Sequence, residues 1–391
     1  MTVTQSYFVN LIKHGINGER INYVPQGLNY KELYKLCAFN STSVIVYKAI
    51  LGVSGELPQD FFKYLEKLAL YHVKKDIQSE FDTQKVITAL EENGLKYMPL
   101  KGYYLKKLYP STDMRYTADC DVLIDVLQIK KLHEVASEIG LKPHHFDEHH
   151  DVFIFPETKT LFEFHKTLFV GKLENYFGIG NKGFEKATIK QGSACLYELS
   201  AELFYLSMLA HSAYHFSAGA GVGIRHLTDV YLYKKHYNLN EQYLNKELEK
   251  CGLLKFKNEF ENLANYFFND IEPSEFTLKL ASHVLSSSLH SNEDLIDASS
   301  VANKLNDGGV KTAKKKAVLK RIFPPKESMQ FSYPVLKKLP WLIPVFYVVR
   351  WFDVLVKRPK NVKKIRATSV VKENDVLYMQ EINNGLGITH L

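Results

Sequence analysis

Two aspartates on one short strand constrain this chain more than any other feature of its sequence. The strand is predicted from Asp119 to Val126, and its side chains alternate between the two faces. Asp119 and Asp121 therefore share a face, with backbones about 7 Å apart at a rise of about 3.3 Å per residue. The two carboxylates can converge on one or two divalent cations, or they can be spare charges at a solvated strand end.

A third carboxylate lies on a second predicted strand, from Thr160 to Phe169. Alternation along this strand places Glu163 and His165 on one face and phenylalanines on the other. If the two strands are neighbours, Glu163 completes a three-acid metal site with Asp119 and Asp121. Three carboxylates on neighbouring strands are the arrangement that two-metal nucleotidyl transfer requires.

Residues upstream of the aspartates are candidate phosphate contacts. Lys101 and Gly102 follow a short predicted strand and precede a helical turn. Gly102 lets the backbone approach a phosphate closely, and Lys101 supplies a point charge. Arg115 could clamp a phosphate through two parallel hydrogen bonds, or it could form a surface salt bridge with Asp113 or Asp119.

Taken together, these motifs resemble a known family. The order is Leu-Lys-Gly, a short helix ending in Tyr-Pro, an arginine, Asp-x-Asp and later Glu-x-His. It is similar to the uncharacterised nucleotidyltransferase family of bacteria, a branch of the DNA polymerase β-like superfamily. The resemblance spans about Asp82 to Tyr233 and includes Arg225-His-Leu-Thr-Asp229 in a helical part. It implies an α+β fold with a minimal nucleotidyltransferase mixed sheet flanked by helices and followed by a helical domain.

The resemblance also implies roles for individual residues. Asp119 and Asp121 would be metal ligands and Glu163 the third acid, with Mg²⁺ or Mn²⁺ as the cofactor. Lys101 and Gly102 lie where the superfamily's Gly-Ser loop holds the triphosphate. The implied reaction is attack of an acceptor hydroxyl on the α-phosphorus of a nucleoside triphosphate, with ATP the expected one. The acceptor would be a saccharide, a small molecule or a protein, and the alternative is a catalytically inactive nucleotide-binding regulatory module.

Four polar side chains complete the candidate nucleotide-binding set, namely His165, His211, Arg225 and Asp229. A satisfied polar core network is the alternative for the last three. His211 and His215 are four residues apart on a predicted helix, but Ser212 occupies the position of the glutamate that a zinc protease needs. The histidine-rich residues 144–150 resemble a metal tract, although they lie in a predicted loop before a strand and a solvated hairpin is the simpler interpretation.

Apolar periodicity predicts helices before and after the sheet. One long helix or two successive ones are expected from Leu57 to Asn93, with Ile77 and Phe81 on the apolar face. Five further helices are predicted, at Tyr197 to Phe216, Ile224 to Tyr237, Glu241 to Cys251, Lys255 to Phe268 and Glu275 to Leu289. The segment from Ser291 to Gly309 is rich in Ser, Asn, Asp and Gly, which predicts a linker or mobile loop.

These patterns divide the chain into four parts. They are an N-terminal helical segment (1–80), a nucleotidyltransferase core (81–192), a helical domain (193–290), and a linker with a basic aromatic tail (291–391). The formal net charge of +7 is modest and the charges are mixed outside the tail, so neither DNA nor RNA is an expected partner. Four dispersed cysteines and the lack of a signal-like start predict a cytoplasmic protein.

The tail contains an apolar segment from Leu339 to Val349, followed by a basic cluster. Eleven residues are too few to cross a bilayer. The segment could lie in the interface of an anionic membrane, with Trp341, Tyr347 and Trp351 at headgroup depth. Alternatively it folds back so that its aromatic side chains cap the helical domain, because Pro340 and Pro344 interrupt any long amphipathic helix.

Overall fold

The computed structural model of the chain describes residues 1–169, 172–177, 183–219, 222–286, 293–305, 308–357, 359–389 and 391. The chain forms two compact units. The first comprises Met1–Ala213 and Val222–Leu289, and the second comprises Tyr214–Gly221 and His290–Leu391. The four-part division expected from the sequence stays a prediction.

Helices make up most of the first unit. They are α1 Val3–Ile16, α2 Tyr30–Phe39, α3 Ser43–Ile50, α4 Gln59–Glu92, α5 Gly102–Leu105, α6 Ile129–Glu138, α7 Lys172–Phe177, α8 Ala201–Ser217 (which continues into the second unit), α9 Ile224–His236, α10 Glu241–Cys251, α11 Leu254–Phe268 and α12 Glu275–Ser286. The long helix that the periodicity predicts is a single one, α4, of 34 residues. The residues of the last predicted helix beyond Ser286 lie outside the described part of the chain.

A five-stranded mixed sheet lies among these helices, and this α+β arrangement confirms the predicted fold class. Its strands are β1 Tyr97–Pro99, β2 Asp119–Ile124, β3 Lys142–Phe146, β4 His150–Ile154 and β5 Leu161–His165. Their order across the sheet is β1-β2-β5-β4-β3. Strands β2 and β5 are parallel, and the other neighbours are antiparallel. A separate two-stranded sheet is formed by β6 Ala187–Ile189 and β7 Tyr197–Leu199.

The apolar face of the main sheet is filled by aromatic and β-branched side chains. Phe162 and Phe164 on β5 are fully buried and pack in one cluster with Val122 and Ile124 of β2. The cluster also contains residues of α4 and α6. Because side chains on a strand alternate, burial of this face directs the polar side chains of β2 and β5 to the opposite face. The alternation predicted for β5 is thereby confirmed.

The predicted apolar face of α4 was wrong in the middle of the helix. Ile77 and Phe81 are 65% and 75% exposed, whereas Asp76 and Asp82 on the same stretch are buried. The buried aspartates are satisfied by polar partners, and Lys106 Nζ donates to Asp76 Oδ1 over 2.8 Å. Hydrophobic periodicity cannot anticipate a helix face that packs on polar groups.

Two other local predictions differ from the structure. The helix predicted from Tyr197 begins only at Ala201, because 197–199 pair with β6 and Ser200 Oγ accepts the amide of Leu203 as a helix cap. The histidine-rich segment does form a hairpin, in which Asp147 accepts the amides of His149 and His150. Its first arm is strand β3 and not the predicted loop.

The second unit is helical in its C-terminal part. Its helices are α13 Glu293–Ala302, α14 Gly309–Ile322, α15 Lys326–Ser332, α16 Val335–Lys338, α17 Ile343–Lys357, α18 Pro359–Val370 and α19 Glu373–Leu386. The predicted linker was wrong for residues 293–302, since α13 buries Ala298 and Val301 in the core of this unit. Small side chains allow close helix packing even where the composition resembles a loop. Within the described residues, no helix is long and apolar enough to cross a membrane.

Candidate active site

The parallel pairing of β2 and β5 brings the predicted acids together. In its register Asp121 is directly opposite Glu163, so the two strands are the neighbours that the predicted three-acid site requires. His165 lies on the same face, with its Nε2 2.8 Å from Asp121 Oδ1 and 3.8 Å from Glu163 Oε2. One donor atom from each of these three side chains lies within 4.8 Å of the other two. Neighbouring strands about 4.8 Å apart place side chains at this separation.

Asp119 occupies a different place in the register, opposite Leu161. It therefore lies one pleat away from Glu163 on the same face of the sheet. Burial, and then the charge of Asp121, raise the pKa of the Asp119 carboxyl. The three-residue cluster thus contains His165 where the predicted metal set contains Asp119. Asp119 remains a predicted ligand.

Lys101 reaches the same cluster from the turn after β1. Its Nζ lies 3.2 Å from Asp121 Oδ2, so the lysine and His165 contact different oxygens of one carboxylate. The backbone of Lys101 has φ +34°, a conformation that side-chain-bearing residues rarely adopt. Strained backbone persists where the surrounding structure enforces it, and such positions concentrate at functional sites.

The carboxylates of the cluster differ in their proton affinity. Burial alone would raise the pKa of Asp121, but Lys101 and His165 outweigh it and hold that pKa well below its usual range. Burial, and then the charges of Asp119 and Asp121, raise the pKa of Glu163 to about 7. Lys101 and the contact with His165 therefore compensate Asp121 and leave Glu163 short of positive charge. A site of two carboxylates and an imidazole with this shortage fits a divalent cation.

Gly102 and Arg115 form a tight corner beside Lys101. A Cβ atom on Gly102 would lie 2.8 Å from Thr117 Cγ2 and 3.1 Å from Arg115 Nη1, so the position requires glycine. Arg115 Nη1 is buried and has no hydrogen-bond partner within the described structure. An unpartnered buried donor is costly, which makes this atom a candidate contact for a ligand oxygen.

The rest of the Arg115 guanidinium is held by Asp229 on α9. Arg115 Nε donates to Asp229 Oδ1 over 2.7 Å, and Nη2 donates to Oδ2 over 2.8 Å. Tyr109 Oη also donates to Asp229 Oδ1, over 2.8 Å. The surface salt bridge suggested for Arg115 was wrong, since its partner is Asp229 and both side chains are buried. Asp113 instead pairs with Lys48. The ion pair between Arg115 and Asp229, which are 114 positions apart, therefore joins the sheet motif to the Arg225–Asp229 motif of α9.

Arg225 and His211 contact other parts of the first unit. Arg225 Nη1 donates to the backbone oxygen of Tyr116 over 2.6 Å, and its Nε is buried without a hydrogen-bond partner in the described structure. The Tyr116 ring stacks on His72 at 4.2 Å. The His211 ring stacks on His226 at 5.8 Å. The unpartnered Nε means that the described protein groups alone do not satisfy Arg225, so the nucleotide-binding role of Arg225 and His211 stays a prediction.

Sequence reasoning missed one ion-pair cluster next to the acids. Lys106 Nζ lies 2.8 Å from both Asp76 and Glu80, and Lys106 and Asp76 are almost fully buried. Lys106 lines a small pocket together with Thr117 and Asp121. The sequence does indicate such a cluster, because Asp76 and Glu80 are four residues apart and therefore share one face of α4.

Comparison with protein families gives one match. A family model described as uncharacterised nucleotidyltransferase matches residues 26–269. No curated protein and no solved structure matches the chain significantly. The matched range contains every candidate site residue from Lys101 to Asp229 and ends before α13. It also extends beyond both ends of the segment in which the sequence motifs were found.

Proposed function

The chain belongs to the uncharacterised nucleotidyltransferase family, and from that membership we propose that it transfers a nucleoside monophosphate from a nucleoside triphosphate to an acceptor hydroxyl. Family membership supports nucleotidyl transfer as the general role. ATP as the donor and a saccharide, small molecule or protein as the acceptor are parts of the proposal. The observation that carries it is the register of β2 and β5, which sets Asp121 opposite Glu163 and beside His165.

We propose that Asp121 and Glu163 hold a divalent cation, with His165 or Asp119 as a further ligand. Carboxylate oxygens favour Mg²⁺ or Mn²⁺, whereas an imidazole ligand shifts the preference toward softer metals. When bound, the cation would neutralise charge on the phosphate oxygens and help to ionise the acceptor hydroxyl. Loss of the Lys101 contact would free Asp121 Oδ2 for such a ligand.

We propose that three groups of this chain bind the triphosphate. Lys101 Nζ carries a charge next to Asp121, and Gly102 lets the backbone approach an oxygen that a side chain would block. Arg115 Nη1 is a donor without a partner in the same corner. In the proposed reaction the acceptor hydroxyl loses its proton to water and its oxygen bonds to the α-phosphorus. The bond from the α-phosphorus to the α–β bridging oxygen breaks, and pyrophosphate leaves with that oxygen while Lys101 and Arg115 balance its charge.

The test uses the full chain, Mg²⁺ or Mn²⁺, and each nucleoside triphosphate labelled at the α-phosphate. With cell extract as the source of acceptor, we expect pyrophosphate release and transfer of label to one class of molecule. Asp121→Asn should abolish both, since the amide keeps the shape and loses the charge that a cation needs.

Asp125→Asn is the matched control for that variant. It is the same substitution directly after the same strand, where Asp125 caps a helical turn through the amide of Leu127. Asparagine caps as well as aspartate does, so this variant should retain activity. Full turnover by Asp121→Asn would contradict the proposal.

A catalytically inactive nucleotide-binding module is the second candidate. The contact between Lys101 Nζ and Asp121 Oδ2 favours it, since a side-chain cation already contacts an oxygen that a metal would need. This candidate predicts triphosphate binding in calorimetry without pyrophosphate release under any condition of the labelling assay. No disulfide bond joins the four cysteines, all of which lie among the described residues, and a cytoplasmic location stays a prediction.

A further inference from the structure

An apolar stripe runs along the exposed side of α17 in the second unit. Its members lie at helical spacing on one face, and they are Trp341 in the turn before the helix, Val345, Val348, Val349 and Phe352. Their exposed fractions are 71, 56, 47, 42 and 67%. A contiguous exposed apolar face of this kind marks an interaction surface more often than chance exposure.

The opposite side of α17 is fixed to its own unit by polar contacts. Tyr347 Oη donates to the backbone oxygen of Pro324 over 2.7 Å, and Trp351 Nε1 donates to that of Ile322 over 3.0 Å. Tyr333 Oη donates to Asp353 Oδ2 over 3.1 Å. The helix is therefore anchored by polar groups on one side, while Val345, Val348, Val349 and Phe352, with Trp341 in the turn before it, are exposed.

The sequence before and after the stripe is strongly basic. Between residues 309 and 366 there are sixteen lysine and arginine side chains and two acidic ones. Because the whole chain has a formal charge of +7, the rest of it is net acidic, and the positive charge is concentrated here. Lys337 and Lys338 are exposed and lie on α16, just before Trp341 in the chain.

We propose that α17 and its preceding turn bind an anionic lipid surface, with Val345, Val348, Val349 and Phe352 of the stripe inserted among the acyl chains and Trp341 at headgroup depth. Insertion removes the exposed apolar area from water, and the lysines and arginines of the flanking sequence are attracted to anionic headgroups. Tryptophan favours headgroup depth, where one side of its ring is apolar and the indole N–H is hydrated. The protein would then carry out its reaction while attached to a membrane.

The charge and chemistry of this segment favour an anionic lipid surface over a second copy of the chain or a nucleic acid. A second copy of the chain would bring two strongly basic segments together, and their mutual repulsion opposes such a dimer. A nucleic acid would be attracted by the charge, but valine side chains offer it neither stacking nor base contacts. An anionic lipid surface complements both the apolar stripe and the basic segment.

The two tryptophans of the chain, Trp341 and Trp351, make this proposal directly measurable. The full chain is mixed with vesicles of phosphatidylcholine, alone or with about one third phosphatidylglycerol. We expect a blue shift of tryptophan emission and quenching by brominated acyl chains only with the anionic vesicles. The shift should persist in Trp351→Phe, where Trp341 is the sole reporter, and disappear in Trp341→Phe. Binding should weaken as NaCl approaches about 1 M, where charges are screened within about 3 Å.

Co-sedimentation with the same vesicles compares matched variants. Phe352→Ser should lower the partition coefficient about tenfold, whereas Phe81→Ser, at a residue of α4 that is 75% exposed, should leave it unchanged. Lys337→Glu with Lys338→Glu should lower it by about fivefold or more per residue. The matched charge control is Lys63→Glu with Lys67→Glu, on exposed positions of α4. Circular dichroism confirms that each variant is folded.

Several outcomes would overturn the proposal. They are equal binding to neutral and anionic vesicles, no emission shift with either, or equal effects of Phe352→Ser and Phe81→Ser. A dimer in sedimentation velocity that Trp341→Ser dissociates would assign the stripe to a second copy of the chain. Binding to duplex or single-stranded nucleic acid that Phe352→Ser weakens as much as vesicle binding would also remove the lipid assignment.

Discussion

Replacing Asp229 with asparagine should destabilise the first unit far more than an ordinary surface substitution. The Asp229 carboxylate accepts two hydrogen bonds from Arg115 and one from Tyr109, at 2.7 to 2.8 Å, and the ion pair is buried. An asparagine keeps the shape but presents an amide donor to one of these donors. It also leaves the guanidinium without a counter-charge.

The expected loss in the free energy of unfolding is about 3–5 kcal/mol, the usual cost of removing one partner from a buried pair. Charge-assisted hydrogen bonds of about 1.5–3 kcal/mol each account for a loss of that size. The matched control is Glu198→Gln, which removes a half-exposed partner of Lys190 at 3.8 Å. That substitution should cost no more than about 0.5 kcal/mol.

Urea unfolding followed by far-ultraviolet circular dichroism measures both variants. Hydrogen exchange of peptides from residues 109–116 and 224–236 locates the loss. The double variant Arg115→Met with Asp229→Leu should recover to within about 1 kcal/mol of wild type, because it removes both charges together. In that variant Tyr109 keeps its 2.8 Å hydrogen bond with Thr228. A loss below about 1 kcal/mol for Asp229→Asn would refute the view that this pair joins the two motifs.

Three further outcomes follow from the same structure. Lys101→Met should weaken ATP binding about tenfold or more and leave adenosine binding almost unchanged, because an ammonium group interacts with phosphates and not with the base. Calorimetry with both ligands measures the two affinities. Gly102→Ala should weaken ATP binding in the same assay, because the new Cβ would lie 2.8 Å from Thr117 Cγ2. The free energy of unfolding should fall as the pH drops from about 6.5 to about 4. Burial lowers the pKa of His72 and of His283 to about 4, whereas histidines of the unfolded chain titrate near 6.5, so in this range the unfolded chain binds more protons. Urea midpoints at several pH values across this window measure that slope.

Each of these outcomes has its own control. Equal losses for ATP and adenosine would make Lys101 structural. Adding Thr117→Ser to Gly102→Ala removes the Cγ2 methyl group and should restore binding, and a lack of rescue would contradict the steric argument. His283→Leu should flatten the pH dependence, since stability then no longer depends on keeping that imidazole neutral. An unchanged slope would show that His283 is not responsible.

The local features of the site were predictable from the sequence. Strand geometry alone places Asp119 with Asp121, and Glu163 with His165, because side chains alternate with a period of two whatever the strand packs against. The motif order identified the family, which the family match confirms. Local reasoning failed where packing decides the outcome, as in the exposed Ile77 of α4 and the helix α13.

Tertiary structure alone decided which residues meet. The parallel pairing of β2 with β5 sets Asp121 beside Glu163, although 42 positions separate them, and no local pattern contains that register. Likewise Arg115 received a buried partner on α9 in place of a surface partner nearby in the chain. Local conformation depends on backbone sterics within a few residues, which the sequence carries directly. Long-range pairing depends on which surfaces are buried together, and that is a property of the whole fold.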